Sequence, residues 1–184
     1  LSNKSKLSNF LDYSVNEKDS KFDIPYPKNS QSTIRLVIGD NCQINLVEEN
    51  YSINQLSEDK LVKYIKEQIS CFDQNENWSD LLNLSLNSTK NTLGFKVSGS
   101  EIPPIEIFSH ASSNSLNAKT LIIFLEKNCD IDLLQVNLGK DNSSLSQSTF
   151  LCLEENSSVN HGVVSYGENK SNLLNSLNVI QQKN

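Results

Sequence analysis

Methionine is absent from this 184-residue sequence, which has only two histidines, one tryptophan and four prolines. A chain of this length without methionine is expected to be a segment of a longer gene product, incomplete at both ends. No apolar run approaches the roughly 20 residues that a membrane-spanning helix needs. The N-terminal LSNKSKLSNF lacks the apolar region of a signal peptide, so we expect a soluble protein of the cell interior.

Positive charge and metal-binding motifs are also scarce. The net charge is −6 and no Lys/Arg stripe with interleaved aromatics occurs, which disfavours nonspecific nucleic-acid binding. The four cysteines form no CxxC pair, and two histidines give no zinc-finger spacing. Four cysteines are too few for a disulfide framework in a chain this long. We therefore expect four reduced thiols, with Cys152 and Cys129 as small packing residues.

The sequence does contain one motif that occurs twice. LIIFLEKNCDIDLLQV (residues 121–136) and FLCLEENSSVNHGVVS (150–165) share an apolar run, Glu-any-Asn, two small or polar residues and a second apolar run. The positions that match at one constant offset are Glu126 and Glu154, Asn128 and Asn156, Leu125 and Leu153, and Ile131 and Val159.

This repeat predicts a strand, a sharp corner and a second strand in each copy, because asparagine tolerates the left-handed conformation well. A constant offset allows one copy to lie on the next, with equivalent side chains about 4.8 Å apart. A solenoid is built in this way, since no single unit can bury its inner face alone. An antiparallel sandwich of hairpins remains the alternative, although it would not require matching corners.

The N-terminal half contains fewer regular patterns. Residues 1–30 suggest a short helix or a loose arm, ending in an extended linker at IPYPKNS. Residues 33–50 predict a strand, a turn and a strand, with Asn41-Cys42 loosely matching the repeat. Ser57 is a plausible N-cap for a helix that carries Leu61, Val62, Ile65 and Ile69 on one face. Residues 77–88 fit a second helix or a strand.

After residue 89 the chain predicts a series of short strands. They are expected at residues 93–99, 104–110, 120–126, 131–137, 148–154 and 158–165. Residues 137–147, NLGKDNSSLSQ, suggest a long polar loop. Residues 172–180, NLLNSLNVI, have apolar residues at helical spacing, so periodicity alone predicts a helix there.

The repeated motif resembles the core of the SufB/SufD family of iron–sulfur cluster assembly proteins, and SufD most closely. LLNLSLNSTKNTLGFKVSGSEIPPIEIFSHA (81–111) and AKTLIIFLEKNCDIDLLQVNLG (118–139) carry the resemblance, which covers residues 30–184. It implies a mainly β fold, a right-handed parallel β-helix (solenoid) preceded by a small helix-containing N-terminal region. Residues 1–90 would be the N-terminal α+β region and residues 91–184 the first coils. The resemblance also implies a strand at residues 172–180, which we favour over the helix that their spacing predicts.

The resemblance also implies a function. A SufD-like chain would be a non-catalytic scaffold that pairs with a SufB-like paralogue and a SufC-like ATPase, in the bacterial cytoplasm or the plastid stroma. The full complex would handle the iron–sulfur cluster, and this segment would bind no cofactor or metal, nucleic acid or membrane. The family residues linked to the cluster and the ATPase lie later in its chains, so none is transferred. The candidate residues are the structural corner residues Glu126, Asn128, Glu154 and Asn156.

Two other functions remain open, a generic β-solenoid binding module and a β-helical carbohydrate-active enzyme. Polysaccharide lyases need an acidic cluster for Ca²⁺ and a basic proton acceptor. Glu126 and Glu154 would stack on the corner, but such residues are usually solvated. His110 and His161 are candidate bases without an activated Ser or Cys partner, and a structural role is the simpler interpretation. The chain lacks a Gly-rich phosphate loop, which argues against an ATPase.

Overall fold

The computed structural model describes residues 33–38, 44–72 and 92–181. This part of the chain is mainly β, with one helix and about three turns of a parallel β-solenoid. In chain order the elements are β1 (Ile34–Val37), β2 (Asn45–Val47), β3 (Tyr51–Gln55), α1 (Glu58–Phe72), β4 (Thr92–Gly99), β5 (Ile105–Ala111), β6 (Leu116–Leu125), β7 (Asp130–Gly139), β8 (Ser144–Leu153), β9 (Ser158–Gly167) and β10 (Asn172–Gln181).

Two sheets form the solenoid, because each ten-residue strand from β6 to β9 is followed by a short corner that carries the chain to the opposite sheet. One sheet has the order β1-β5-β7-β9 and the other β10-β8-β6-β4-β3-β2. A strand and its corner make half a coil, so each strand pairs with the next but one along the chain. Leu125 pairs with Leu153 and Ile131 with Val159, both in parallel. The predicted solenoid is confirmed, and antiparallel hairpins are wrong for these strands.

The strands that precede residue 90 join the same two sheets. β1 runs parallel to β5, where the Arg35 guanidinium lies 2.6 Å from the Glu106 carboxylate and 5.1 Å from the centre of the Phe108 ring. β2 and β3 form an antiparallel pair that continues into β4. The two strands predicted in residues 33–50 therefore lie in different sheets, and the turn at residues 39–43 lies outside the described part of the chain.

Alternate residues of each strand point between the two sheets and form the core, as the two-residue period of a strand requires. Aliphatic side chains dominate the half of the core that lies next to the corners after β6 and β8. Buried there are Val97, Leu121, Ile123, Leu125, Cys129, Ile131, Leu133, Leu151 and Leu153. Burial of these side chains is the main favourable term that holds the coils together.

Helix α1 packs on the outer face of β4, β6 and β8. Leu61 is buried against Ile122 and Phe150, as the predicted apolar face requires. The Leu61 N–H donates to the Ser57 carbonyl (3.1 Å), which places Ser57 at the start of the first turn. Gly94 makes room for this packing, since a Cβ there would lie 2.1 Å from a Leu61 methyl carbon. The second predicted helix, the arm, the linker and Asn41-Cys42 lie outside the described residues.

The expected polar loop at residues 137–147 is wrong. β7 continues to Gly139, the chain turns over Lys140–Ser143, and β8 begins at Ser144. Serine fits here because it is small and can form hydrogen bonds. The Asn172 amide donates to the Ser144 hydroxyl (3.4 Å), and the Ser176 hydroxyl donates to that of Ser148 (3.0 Å), both between coils.

The strand predicted at residues 172–180 is confirmed as β10. Its ten residues pair in parallel with Ser144–Leu153, one coil earlier. The pairing satisfies its backbone groups along one side, and this outweighs the helical spacing of its leucines.

Candidate functional site

The two predicted corners have equivalent backbone conformations. Asn128 has a φ of 59° and Asn156 a φ of 58°, in the left-handed region that asparagine tolerates. Both side chains are exposed. The conformation lets the chain reverse within a short corner, which is why the same residue type recurs at this position.

Side chains at these corners bond to their counterparts one coil away. The Asn156 amide donates to the Asn128 side-chain oxygen (3.3 Å), and the Asn128 N–H donates to the Glu155 carbonyl (3.1 Å). The Lys127 ammonium lies 2.6 Å from the Glu155 carboxylate. Their hydrogen bond raises the pKa of Lys127 and lowers the pKa of Glu155. The pair is exposed, so it aligns the coils without contributing much stability.

The two corner glutamates are placed by backbone hydrogen bonds. The Glu126 N–H donates to the Val97 carbonyl and the Glu154 N–H to the Leu125 carbonyl, both at 3.0 Å. The Glu126 carboxylate forms an ion pair with Lys96. Among the described residues, no group of three or more His, Cys, Asp or Glu side chains could hold a metal ion. The backbone hydrogen bonds and the ion pair with Lys96 are contacts that turn residues make.

A second series of corners lies on the opposite edge of the solenoid. Asn114 and Asn142 have φ values of 56° and 54°, and the Asn142 amide donates to the Asn114 side-chain oxygen (3.2 Å). Lys140 bonds to Glu168 at 2.6 Å, again one coil apart. Sequence reasoning missed these corners, although Asn128 lies midway between Asn114 and Asn142 in the chain.

A polar cluster occupies the interior between the two sheets. The Gln135 amide donates to the Thr149 hydroxyl (2.8 Å), and the Gln135 side-chain oxygen lies 2.5 Å from His161 Nε2. His161 pairs with Leu133 in register, as the repeat predicts. Burial lowers the pKa of His161, so the neutral ring is favoured. The cluster satisfies its own polar groups, which is the structural role expected for this histidine.

The two candidate bases lie on opposite faces of one sheet. His161 points to the interior and contacts Gln135. His110 lies at the position paired with Leu138, which is on the outer face by the alternation of the strand. The structure therefore does not bring His110 and His161 into one site.

Both cysteines with described side chains are free thiols. Burial raises the pKa of Cys129 to about 11, helped by Asp130 and Glu126. Burial also raises the pKa of Cys152 to about 11, although a hydrogen bond with the Tyr64 hydroxyl (2.7 Å) opposes this. At neutral pH only about one thiol in 10,000 would be ionised, so neither has the lowered pKa of an activated nucleophile.

No protein-family model, curated protein or solved structure matches this chain. In the described ranges, no helix has the length and apolar character required to cross a membrane. The resemblance to the SufB/SufD family therefore rests on the sequence motif alone.

Within the described chain, β9 and β10 form the coil at one end of the solenoid. β9 and β10 are the outermost strands of their sheets, so each has one unpaired edge within the described chain. The large apolar side chains that this coil exposes are Val163, Val164, Tyr166, Leu174, Leu177 and Val179. Sequence reasoning noted Leu174 and Leu177 only for their helical spacing and did not predict that this coil would expose apolar side chains.

Proposed function

We propose that this chain is part of a SufD-like, non-catalytic scaffold subunit of the SUF iron–sulfur cluster assembly complex. In this proposal it pairs with a SufB-like paralogue and a SufC-like ATPase. One observation carries it: the Glu-any-Asn corner recurs at the same place in successive coils of a parallel solenoid, the architecture that the resemblance implies.

The chemistry of the corners supports a scaffold. Asn128 and Asn156 bond to each other, and Lys127 bonds to Glu155, so these groups hold neighbouring coils in register. The two described thiols have pKa values of about 11 and lie in packed surroundings. The cluster is the cargo of the complex in this proposal, and none of its ligands is assigned to the described residues.

Co-purification of the full-length protein tests the proposal. A tagged copy is purified from the source organism under reducing conditions, and bound proteins are identified by mass spectrometry. We expect a SufB-like paralogue and an ATPase of the transporter-cassette type in near-stoichiometric amounts. A folded protein that retains neither partner would refute the SUF assignment.

Matched corner variants make this experiment more specific. Asn156→Val disturbs a left-handed corner, whereas Asn160→Val changes the same residue type at an exposed position inside β9. We expect partner recovery to fall with the amount of folded protein for Asn156→Val and to remain at the wild-type level for Asn160→Val. If Asn156→Val stays folded and partnered yet abolishes cluster assembly, the corner has a chemical role and the scaffold proposal is wrong.

A generic β-solenoid binding module is the second candidate. Exposed apolar side chains on the last coil, including Leu177 and Val179, favour it, because such groups often mark interaction surfaces. This candidate predicts stable partners other than the paralogue and the ATPase in the same purification. A carbohydrate-active enzyme would instead bind and cleave an acidic polysaccharide, which an assay for released ends on the same sample would detect.

A further inference from the structure

We draw no further inference here: the strongest candidate, the coil of β9 and β10 at one end of the solenoid, where Val163, Leu177 and Val179 are exposed, carries nothing because nothing in the structure shows what covers it.

Discussion

Replacing Asn156 by valine and by glycine tests the left-handed corner directly. The φ of 58° is accessible to glycine without strain, whereas a β-branched residue is strongly disfavoured there. Valine should therefore destabilise the protein more than glycine, although both variants lose the same amide hydrogen bond to Asn128. The difference between them isolates the backbone strain.

The magnitude follows from three contributions. Strain from valine in this region costs about 1–3 kcal/mol. The exposed 3.3 Å amide bond contributes about 0.5 kcal/mol, which both variants lose. Glycine adds about 0.4–1 kcal/mol through the greater entropy of the unfolded chain. With the middle of each range, about 2 kcal/mol of strain against about 0.7 kcal/mol of entropy, we expect valine to be less stable than glycine by about 1.3 kcal/mol at Asn156, and by a similar amount at Asn128, which has the same conformation.

Urea unfolding of the full-length protein, followed by circular dichroism, measures this difference. With a slope of about 2 kcal/mol per molar urea, the midpoint of the valine variant should lie about 0.5–1 M below that of the glycine variant. Asn160→Val is the control, because Asn160 lies in β9 and donates a similar bond to Asp132 (3.2 Å). Valine is favoured in strands, so this control should change stability by at most about 0.5 kcal/mol.

Equal midpoints for the valine and glycine variants would refute the reasoning about the corner. A large effect of Asn160→Val would show instead that the amide bonds between coils, rather than the corner conformation, dominate. Either result would require a different explanation of why asparagine recurs at the same corner of successive coils.

Three further predictions concern burial. Burial lowers the pKa of His161 below its usual 6.5, so as the pH falls through about 6.5 the unfolded chain takes up the proton before the folded protein does, and the free energy of unfolding should decrease. His161→Leu should weaken this decrease in urea midpoints measured from about pH 7.5 to 5.5, and the same pH dependence in both proteins would contradict the prediction. Gly94→Ala should cost about 1–3 kcal/mol by crowding Leu61, and a double-mutant cycle with Leu61→Ala should show coupling; additive effects would mean that the helix does not pack there. Native Cys129 and Cys152 should react slowly with iodoacetamide at neutral pH, and the denatured, unreduced chain should titrate as four thiols, whereas two would indicate a disulfide.

The coil length could be predicted from the sequence because one residue type has a distinctive backbone preference. Asparagine at 128 and 156 marks a left-handed position, and flanking apolar runs mark the strands, so the offset between the two copies predicts the observed register. The Lys140–Ser143 corner carries the same left-handed residue type at Asn142, half a coil later. Asn142 is followed by a serine-rich segment rather than by an apolar run, so the sequence predicts a loop there and at the start of β8.

The polar interior could not be predicted from single strands. In the second half of β7, Gln135 and Asn137 point inward while Leu134 and Val136 point outward, which inverts the usual pattern. Gln135 is satisfied by Thr149 on the facing sheet, and Asn137 donates to Asn175 (2.6 Å). Such partners become visible only when the two sheets are placed face to face, because they are distant from β7 along the chain.

The two-sheet coil also restricts the insertions and deletions that this architecture can accept. Removing residues 126–153 would join Leu125 to Glu154, and the chain would continue in the same sheet and register, because Leu125 and Leu153 are paired positions. If only residues 126–139 were removed, every strand after the deletion would lie in the opposite sheet from the one that it joins now. The place above Ile105, which Leu133 now fills, would then receive Gln147. Length changes between related chains should therefore occur in steps of one whole coil, with other changes confined to the exposed corners.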